Sequence, residues 1–187
     1  MVDAKKQTAL LGIAFLLLLL ASSFENTVFF HMSSNVLKDL SNAQNQLLAV
    51  GVLFLHNIIV ISLILLGMTF YVNLVVLNFF KREKHADIVL EHPRTFALVF
   101  TLVILLLSIL RGSTILYGGI SVDALPLILL VSTPIGIVEG YGIYLTIKKI
   151  LSRTMSMKDL AYIYGIFFIA AIMEVGFINL LISVSAG

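Results

Sequence analysis

Long apolar runs separated by short polar connections dominate the pattern of this chain. A helical run of about 20 apolar residues crosses the hydrocarbon core of a bilayer, and several runs here reach that length. We therefore predict an all-α protein, a single polytopic transmembrane helical bundle of about five spans plus an outer amphipathic or dipping helix. The predicted domain covers residues 1–187, and the predicted spans cover residues 8–30, 58–80, 95–116, 126–147 and 160–184.

The first apolar run has features of a secretory signal peptide. Lys5 and Lys6 precede it, and the small residues 21–23 follow its apolar middle. We interpret the run as the first span, which enters the membrane from the cytoplasm and continues to about Phe30.

The polar connection after the first span, residues 31–46, has apolar positions at helical spacing, including Val36, Leu40 and Ala43. This pattern predicts an amphipathic helix on the outer membrane surface, and a plain solvated loop is the alternative. The next apolar run, residues 47–80, would measure roughly 50 Å as one helix, well above the hydrocarbon core of about 30 Å. One straight span does not account for it.

The polar pair His56-Asn57 interrupts that long run, and Asn is a favoured N-cap residue. We predict a short helix, residues 47–55, which dips into the membrane or lies at its interface. Span two then begins at about Ile58.

The basic residues lie mostly on one side of this arrangement. Ten of the 12 Lys and Arg residues fall before span one, between spans two and three, or between spans four and five. Because basic residues concentrate in cytoplasmic loops, we predict a multi-pass cell-membrane protein with a cytoplasmic N-terminus and an extracytoplasmic C-terminus. Two full spans within residues 47–80 would put the basic connections on opposite sides, so we reject that alternative. The ten residues are Lys5, Lys6, Lys81, Arg82, Lys84, Arg94, Lys148, Lys149, Arg153 and Lys158.

The composition narrows the function classes. Hydrophobic residues make up 60% of the chain and charged residues 12%. The absence of cysteine excludes disulfides, thiolate metal sites and cysteine catalysis. A net charge of +2 is too small to argue for nucleic-acid binding. No P-loop, dinucleotide-binding glycine motif or HExxH motif occurs. We predict no cofactor and no catalytic residues.

Two carboxyl groups fall inside predicted spans. Glu139 and Glu174 each lie roughly 20 Å from the start of their span. The two spans run in opposite directions, yet both carboxyl groups reach the middle or the outer half of the membrane. Like charges in a low dielectric are not both ionised without a partner, so the pair is predicted to share a proton or a cation. The alternative is that each carboxyl group is protonated and forms a hydrogen bond to a neighbouring helix, which stabilises the bundle.

Small residues and a proline surround Glu139. Ser132, Gly136 and Gly140 recur every four residues and predict a stripe that lets another helix approach closely. Pro134 removes a backbone donor and predicts a kink in span four.

Further polar residues lie at membrane depth. His56 and Asn57 are predicted to point into the bundle, because a turn at that depth must be covered by protein. One histidine and two carboxylates are weak evidence for a set of metal ligands, so no metal site is predicted. Glu25 and Arg111 lie at similar distances into spans one and three, which predicts an ion pair or two side chains that extend to water. The predicted intramembrane polar core is Glu139, Glu174, Asn57, His56, Pro134, Gly136 and Gly140.

Three short motifs resemble one family. Residues 134–139, Pro-Ile-Gly-Ile-Val-Glu, resemble the Pro-His-Gly-Ile-Phe-Glu signature of the stage II sporulation protein M family. Residues 168–174 are similar to its closing Ala-Ala-x-x-Glu helix, and residues 54–58 to its Asn-Asn element. The motifs occur in the family's order, with Ile135 in place of the histidine and His56 in place of the first asparagine. The resemblance implies that Asn57, Pro134, Gly136, Glu139 and Glu174 are the family's polar core positions.

What this resemblance implies is an integral membrane partner protein. In spore-forming bacteria the family member joins envelope proteins, including peptidoglycan hydrolases, and relatives occur in bacteria and archaea that form no spores. We therefore expect a non-enzymatic scaffold or partner subunit of a cell-envelope or membrane complex. The alternatives are a small channel or transporter subunit that uses Glu139 and Glu174 for protons or cations, and an intramembrane enzyme. The expected partners are the lipid bilayer, other membrane or envelope proteins and further copies of the chain, without nucleic acid.

Overall fold

The computed structural model describes residues 2–36, 43–77, 79, 88–117 and 125–185. Within these residues the regular secondary structure is entirely α-helical, which confirms the predicted all-α class. The described helices are α1 (Val2–Val36), α2 (Ala43–Val76), α3 (Ile88–Glu91), α4 (Pro93–Tyr117), α5 (Leu125–Leu151) and α6 (Met157–Ser185).

Three of these helices contain a stretch that is long and apolar enough to cross a membrane. The stretches are Asp3–Ser22 in α1, Gln44–Val76 in α2 and Met157–Asn179 in α6. A shorter apolar stretch, Pro93–Ser108, lies in α4. Many leucines on the outer face of α1 remain exposed, such as Leu17 at 62%. Apolar surfaces of this extent are suited to contact with lipid, which indicates that the chain associates with a membrane.

Helix α2 runs without a break through His56 and Asn57, so the predicted short helix over residues 47–55 is wrong. Its 34 residues measure about 50 Å. A continuous helix satisfies the backbone donors and acceptors internally, which an apolar surrounding demands. Asn57 lies inside α2 and therefore does not cap it. Its side chain forms a hydrogen bond with Glu139 of α5.

The predicted amphipathic helix over residues 31–46 is not a separate element among the described residues. Residues 31–36 form the last part of α1, and residues 43–46 form the first turn of α2. Residues 37–42 lie outside the described part of the chain.

Helices α2, α5 and α6 pack against one another and form the centre of the bundle. Helix α1 packs along α2, and α4 packs along α5. The larger cluster of buried apolar side chains includes Ile61 on α2, Ile147 on α5 and Phe167 on α6. A second cluster joins α2 and α6 beyond it, and Phe54 meets Phe168 edge to face there, with ring centroids 5.2 Å apart.

Glycines allow aromatic rings to approach the helix backbones closely. A Cβ atom at Gly12 would lie 2.9 Å from Phe70 Cε2, and one at Gly67 would lie 3.0 Å from Phe15 Cε2. These two contacts pair early residues of α1 with late residues of α2, so the two helices run antiparallel. The start of α1 therefore lies at the same end of the bundle as the end of α2.

Hydrogen bonds stabilise the turn between α5 and α6 at the end of α5 and at the start of α6. Arg153 adopts a left-handed conformation, φ 55°, after the end of α5. Its amide donates to the Ile150 carbonyl at 2.9 Å, and the Thr154 amide donates to the Lys149 carbonyl at 2.9 Å. This is the Schellman pattern, in which glycine is the usual left-handed residue.

Helix α6 begins with a capping box. The Asp159 amide donates to Ser156 Oγ at 3.2 Å, and the Ser156 amide donates to Asp159 Oδ2 at 3.0 Å. Ser156 is therefore the N-cap of α6. The Asp159 carboxylate also pairs with Lys149 of α5 at 3.1 Å. The short turn sets α5 and α6 antiparallel, which brings the segments that carry Glu139 and Glu174 together.

Candidate functional site: a polar cluster between three helices

A hydrogen bond between polar side chains joins α2 to α5. Asn57 Nδ2 donates to Glu139 Oε1 at 3.4 Å, and both side chains are half-buried. This length is at the long end for an N–H···O bond. The two residues are 82 positions apart in the chain, so only the packing of α2 against α5 brings them into contact.

Glu174 contributes the second carboxyl group from α6. It lies near enough to Glu139 for the two charges to act on each other, and it is also half-buried. Its neighbours on α6 are the buried side chains of Ala171 and Val175, which pack against α2. Asn57, Glu139 and Glu174 therefore form a polar cluster to which each of the three central helices contributes one side chain.

The chemistry available to this polar cluster follows from its composition. Two neighbouring carboxyl groups in a low-dielectric surrounding are not both ionised without a cation beside them, so they share a proton or bind a cation. An amide beside them can donate to a carboxylate or accept from a carboxylic acid. In the described part of the chain, no group of three or more His, Cys, Asp or Glu side chains is arranged to hold a metal ion.

The other residues of the predicted polar core differ in their exposure and contacts. His56 is half-buried on α2 and is engaged in a non-covalent interaction. Pro134 is exposed on α5, and α5 continues as a helix through it. A Cβ atom at Gly136 would meet nothing within 4 Å, whereas one at Gly140 would lie 2.9 Å from Leu105 Cδ1 on α4.

The predicted small-residue stripe is therefore not one packing surface. Gly140 faces α4, and Gly136 faces open space. Residues four apart on an α-helix are rotated by about 40°, so a regular four-residue spacing drifts around the helix instead of following one neighbour. The side chain of Ser132 lies outside the described part, as do those of Glu25 and Arg111, so the predicted ion pair stays a prediction.

Sequence reasoning missed a close contact between α5 and α6. A Cβ atom at Gly142 would lie 2.6 Å from Phe167 Cε2, the shortest such distance among the described glycines. Thr146, one turn further along, is completely buried, and its hydroxyl donates to the Gly142 carbonyl at 2.8 Å. The pair of small residues four apart on α5 is the signal that could have identified this contact.

A tyrosine pair also joins these two helices. Tyr141 of α5 and Tyr162 of α6 are hydrogen-bonded to each other, and both are largely exposed. Nearby, the Lys148 ammonium lies 5.6 Å from the centre of the Tyr144 ring. Tyrosine and lysine side chains in this arrangement are typical of the level at which a helix bundle meets the polar headgroups.

No family model, no curated protein and no solved structure matches this chain.

Proposed function

We propose that the chain is an integral membrane protein with five membrane-spanning helices, α1, α2, α4, α5 and α6. Seven basic side chains within the described residues support one orientation. They lie near the start of α1, α4 and α6 and at the end of α5, which the antiparallel contacts bring to one end of the bundle. We name this the basic end and assign it to the cytoplasm. Its members are Lys5, Lys6, Arg94, Lys148, Lys149, Arg153 and Lys158.

Single cysteines test this topology directly, because the natural chain has none. We expect Lys6→Cys, Arg94→Cys and Lys158→Cys to react with a membrane-impermeant maleimide only after the cytoplasmic side is opened. Gln44→Cys, at the opposite end of α2, is expected to react in intact cells. The same labelling side for Gln44→Cys and Lys158→Cys would overturn the five-span arrangement, since α2 and α6 would then not place these residues on opposite faces.

Within the membrane, we propose that the protein is a non-enzymatic scaffold or partner subunit of a cell-envelope or membrane complex. The observation that carries this proposal is the Asn57–Glu139 hydrogen bond with Glu174 beside it. The hydrogen bond ties α2 to α5, and the Glu174 carboxyl group of α6 lies near enough to Glu139 for the two charges to act on each other. The resemblance of residues 134–139 to the stage II sporulation protein M family supports the same role, and we propose membership of that family.

The outer faces of the central helices supply surfaces for partner helices. Added Cβ atoms at Gly136 on α5 and at Gly165 and Gly176 on α6 would meet nothing within 4 Å. Ile137 beside Gly136 is 67% exposed, and Ile169 on α6 is 54% exposed. Glycines next to exposed apolar residues let a second helix approach closely, which is how helices associate where lipid removes the hydrophobic driving force.

Photo-cross-linking in native membranes tests the scaffold role. A photoreactive residue at Ile137 or Ile169 is expected to give a discrete protein adduct, whereas one at Leu17 on the outer face of α1 is expected to give lipid adducts alone. The adducts at Ile137 are expected to persist in the double variant Glu139→Gln/Glu174→Gln, because glutamine keeps the size and the hydrogen bonding of each side chain. Lipid adducts alone at all three positions would count against a partner protein.

A small channel or transporter subunit is the second candidate, and the convergence of Glu139 and Glu174 favours it. Proton or cation flux into liposomes that contain the purified protein distinguishes the two roles. The scaffold predicts the same flux as in protein-free liposomes. A flux that appears with the natural chain and disappears in Glu139→Gln/Glu174→Gln would replace the scaffold by the transport function.

A further inference from the structure

An apolar groove opens between α1 and α4, over the side of α2. Its volume is about 550 Å³, within the range of roughly 300–1,000 Å³ that is typical of small-molecule pockets. Its surface is almost entirely apolar. We name it the α1–α4 groove, and its lining includes Phe15, Leu63, Tyr71, Val89, Phe100 and Ile104.

The groove exists because α1 and α4 pack on different neighbours. Helix α1 lies along α2, and α4 lies along α5, so no other described helix covers the side of α2 between them. The lining on α2 extends from Leu63 to Tyr71, a length of about 12 Å. Tyr71 lies five residues before the end of α2, and Val89 belongs to the short helix α3 that precedes α4. The groove therefore begins at the basic end and extends into the bundle from there.

Charged side chains flank that end of the groove. Lys5 and Lys6 are exposed on α1. The contact between Gly12 and Phe70 places them further towards the basic end than Tyr71. Arg94 is exposed in the first turn of α4. Asp3 and Glu91 are the described acidic residues beside them. The remaining basic residues of this end lie around the turn between α5 and α6, and none of them lines the groove.

We propose that the α1–α4 groove binds an acyl chain of an anionic phospholipid from the leaflet at the basic end. Water does not fill an apolar space of this kind, and acyl chains are the surrounding medium at this depth. Lipid tails are as apolar as leucine, so the groove by itself does not distinguish one lipid from another. The selectivity comes from Lys5, Lys6 and Arg94, which attract a negatively charged headgroup at the mouth of the groove.

Tryptophan fluorescence tests this proposal, because the natural chain contains no tryptophan. Phe100→Trp places the fluorophore in the groove, and Val99→Trp places it at almost the same depth on the outer face of α4. Each variant is reconstituted in phosphatidylcholine vesicles that contain an equal mole fraction of either brominated phosphatidylglycerol or brominated phosphatidylcholine. We expect Phe100→Trp to show a preference of about fivefold or more for the anionic lipid, the effect of one basic side chain at a membrane surface. Val99→Trp is expected to show no such preference.

Charge variants then identify the source of the preference. In the Phe100→Trp background, Lys6→Gln/Arg94→Gln is expected to reduce the preference by about fivefold or more. The matched double variant Arg153→Gln/Lys158→Gln removes two charges from the same end of the bundle and is expected to leave it unchanged. Equal loss in both double variants would show a general surface attraction and overturn the proposal.

Two further outcomes would also contradict it. Equal quenching of Phe100→Trp and Val99→Trp by both lipids would show that the groove does not select its occupant. No quenching of Phe100→Trp by either lipid would show that acyl chains do not enter the groove. Helical circular dichroism and gel filtration confirm that each variant is folded, and Ile104→Trp repeats the measurement at a second groove position. None of these outcomes depends on the cross-links at Ile137.

Discussion

Replacing Gly142 by alanine is expected to reduce the free energy of unfolding by about 1–3 kcal/mol, the usual cost of adding atoms to a packed interior. The new Cβ atom would lie 2.6 Å from Cε2 and 2.9 Å from Cζ of Phe167. Phe167 is only 3% exposed and belongs to the main apolar cluster, so its ring has little room to move. The clash therefore has to be relieved by separating α5 from α6.

Thermal unfolding of the purified protein in detergent measures this effect, and the same helix offers a matched control. A Cβ atom at Gly136 would meet nothing within 4 Å, so Gly136→Ala is expected to leave the melting temperature unchanged or to raise it slightly, because alanine is the better helix former. Adding Phe167→Leu to Gly142→Ala is expected to recover part of the lost stability. Equal melting temperatures for Gly142→Ala and the natural chain would show that the close contact at Phe167 does not hold α5 against α6.

The second large effect is expected at the hydrogen bond between α2 and α5. Asn57→Leu removes the donor to Glu139 Oε1 and leaves a carboxyl group beside an apolar side chain. Hydrogen bonds between membrane helices contribute about 0.6 kcal/mol on average and up to about 1.7 kcal/mol. We expect a loss towards the upper end of that range, because Glu174 lies beside the same carboxyl group and adds like charge instead of a donor.

A double-mutant cycle isolates this interaction. Asn57→Leu and Glu139→Leu, made singly and together, are expected to show a coupling energy of about 0.6–1.7 kcal/mol. The cycle with Asn73→Leu in place of Asn57→Leu is the control, because Asn73 lies roughly 24 Å further along α2. A coupling energy near zero for Asn57 and Glu139 would mean that the polar cluster does not stabilise the bundle.

The bounds of the later helices show how much local sequence can determine. The predicted spans at 95–116, 126–147 and 160–184 correspond to α4, α5 and α6, which extend one to four residues further at their ends. The lengths of the apolar runs and the basic residues that follow 147 are local features, and no distant contact is needed to interpret them.

The predicted helix break at His56 and Asn57 was wrong because the role of these residues is not decided by their local sequence. An asparagine in an apolar run can cap a helix or bond to another helix, and the local sequence contains no information that decides between these two roles. The outcome depends on Glu139, which is 82 positions away. The same limit applies to the glycines, because Gly136 and Gly140 are alike in sequence but face open space and α4 respectively.

Local sequence patterns were sufficient to establish that this protein is helical and rich in membrane-length apolar segments, and to locate the two carboxyl groups within predicted spans. These properties follow from run length, charge spacing and helix-ending residues, each of which acts over one or two helical turns. Which side chains meet depends on the packed structure: Asn57 with Glu139, Glu139 near Glu174, Gly142 with Phe167, and the walls of the α1–α4 groove. The physical reason is that helix packing sets the rotation and depth of each helix against its neighbours, and these two quantities depend on all of the contacting faces together.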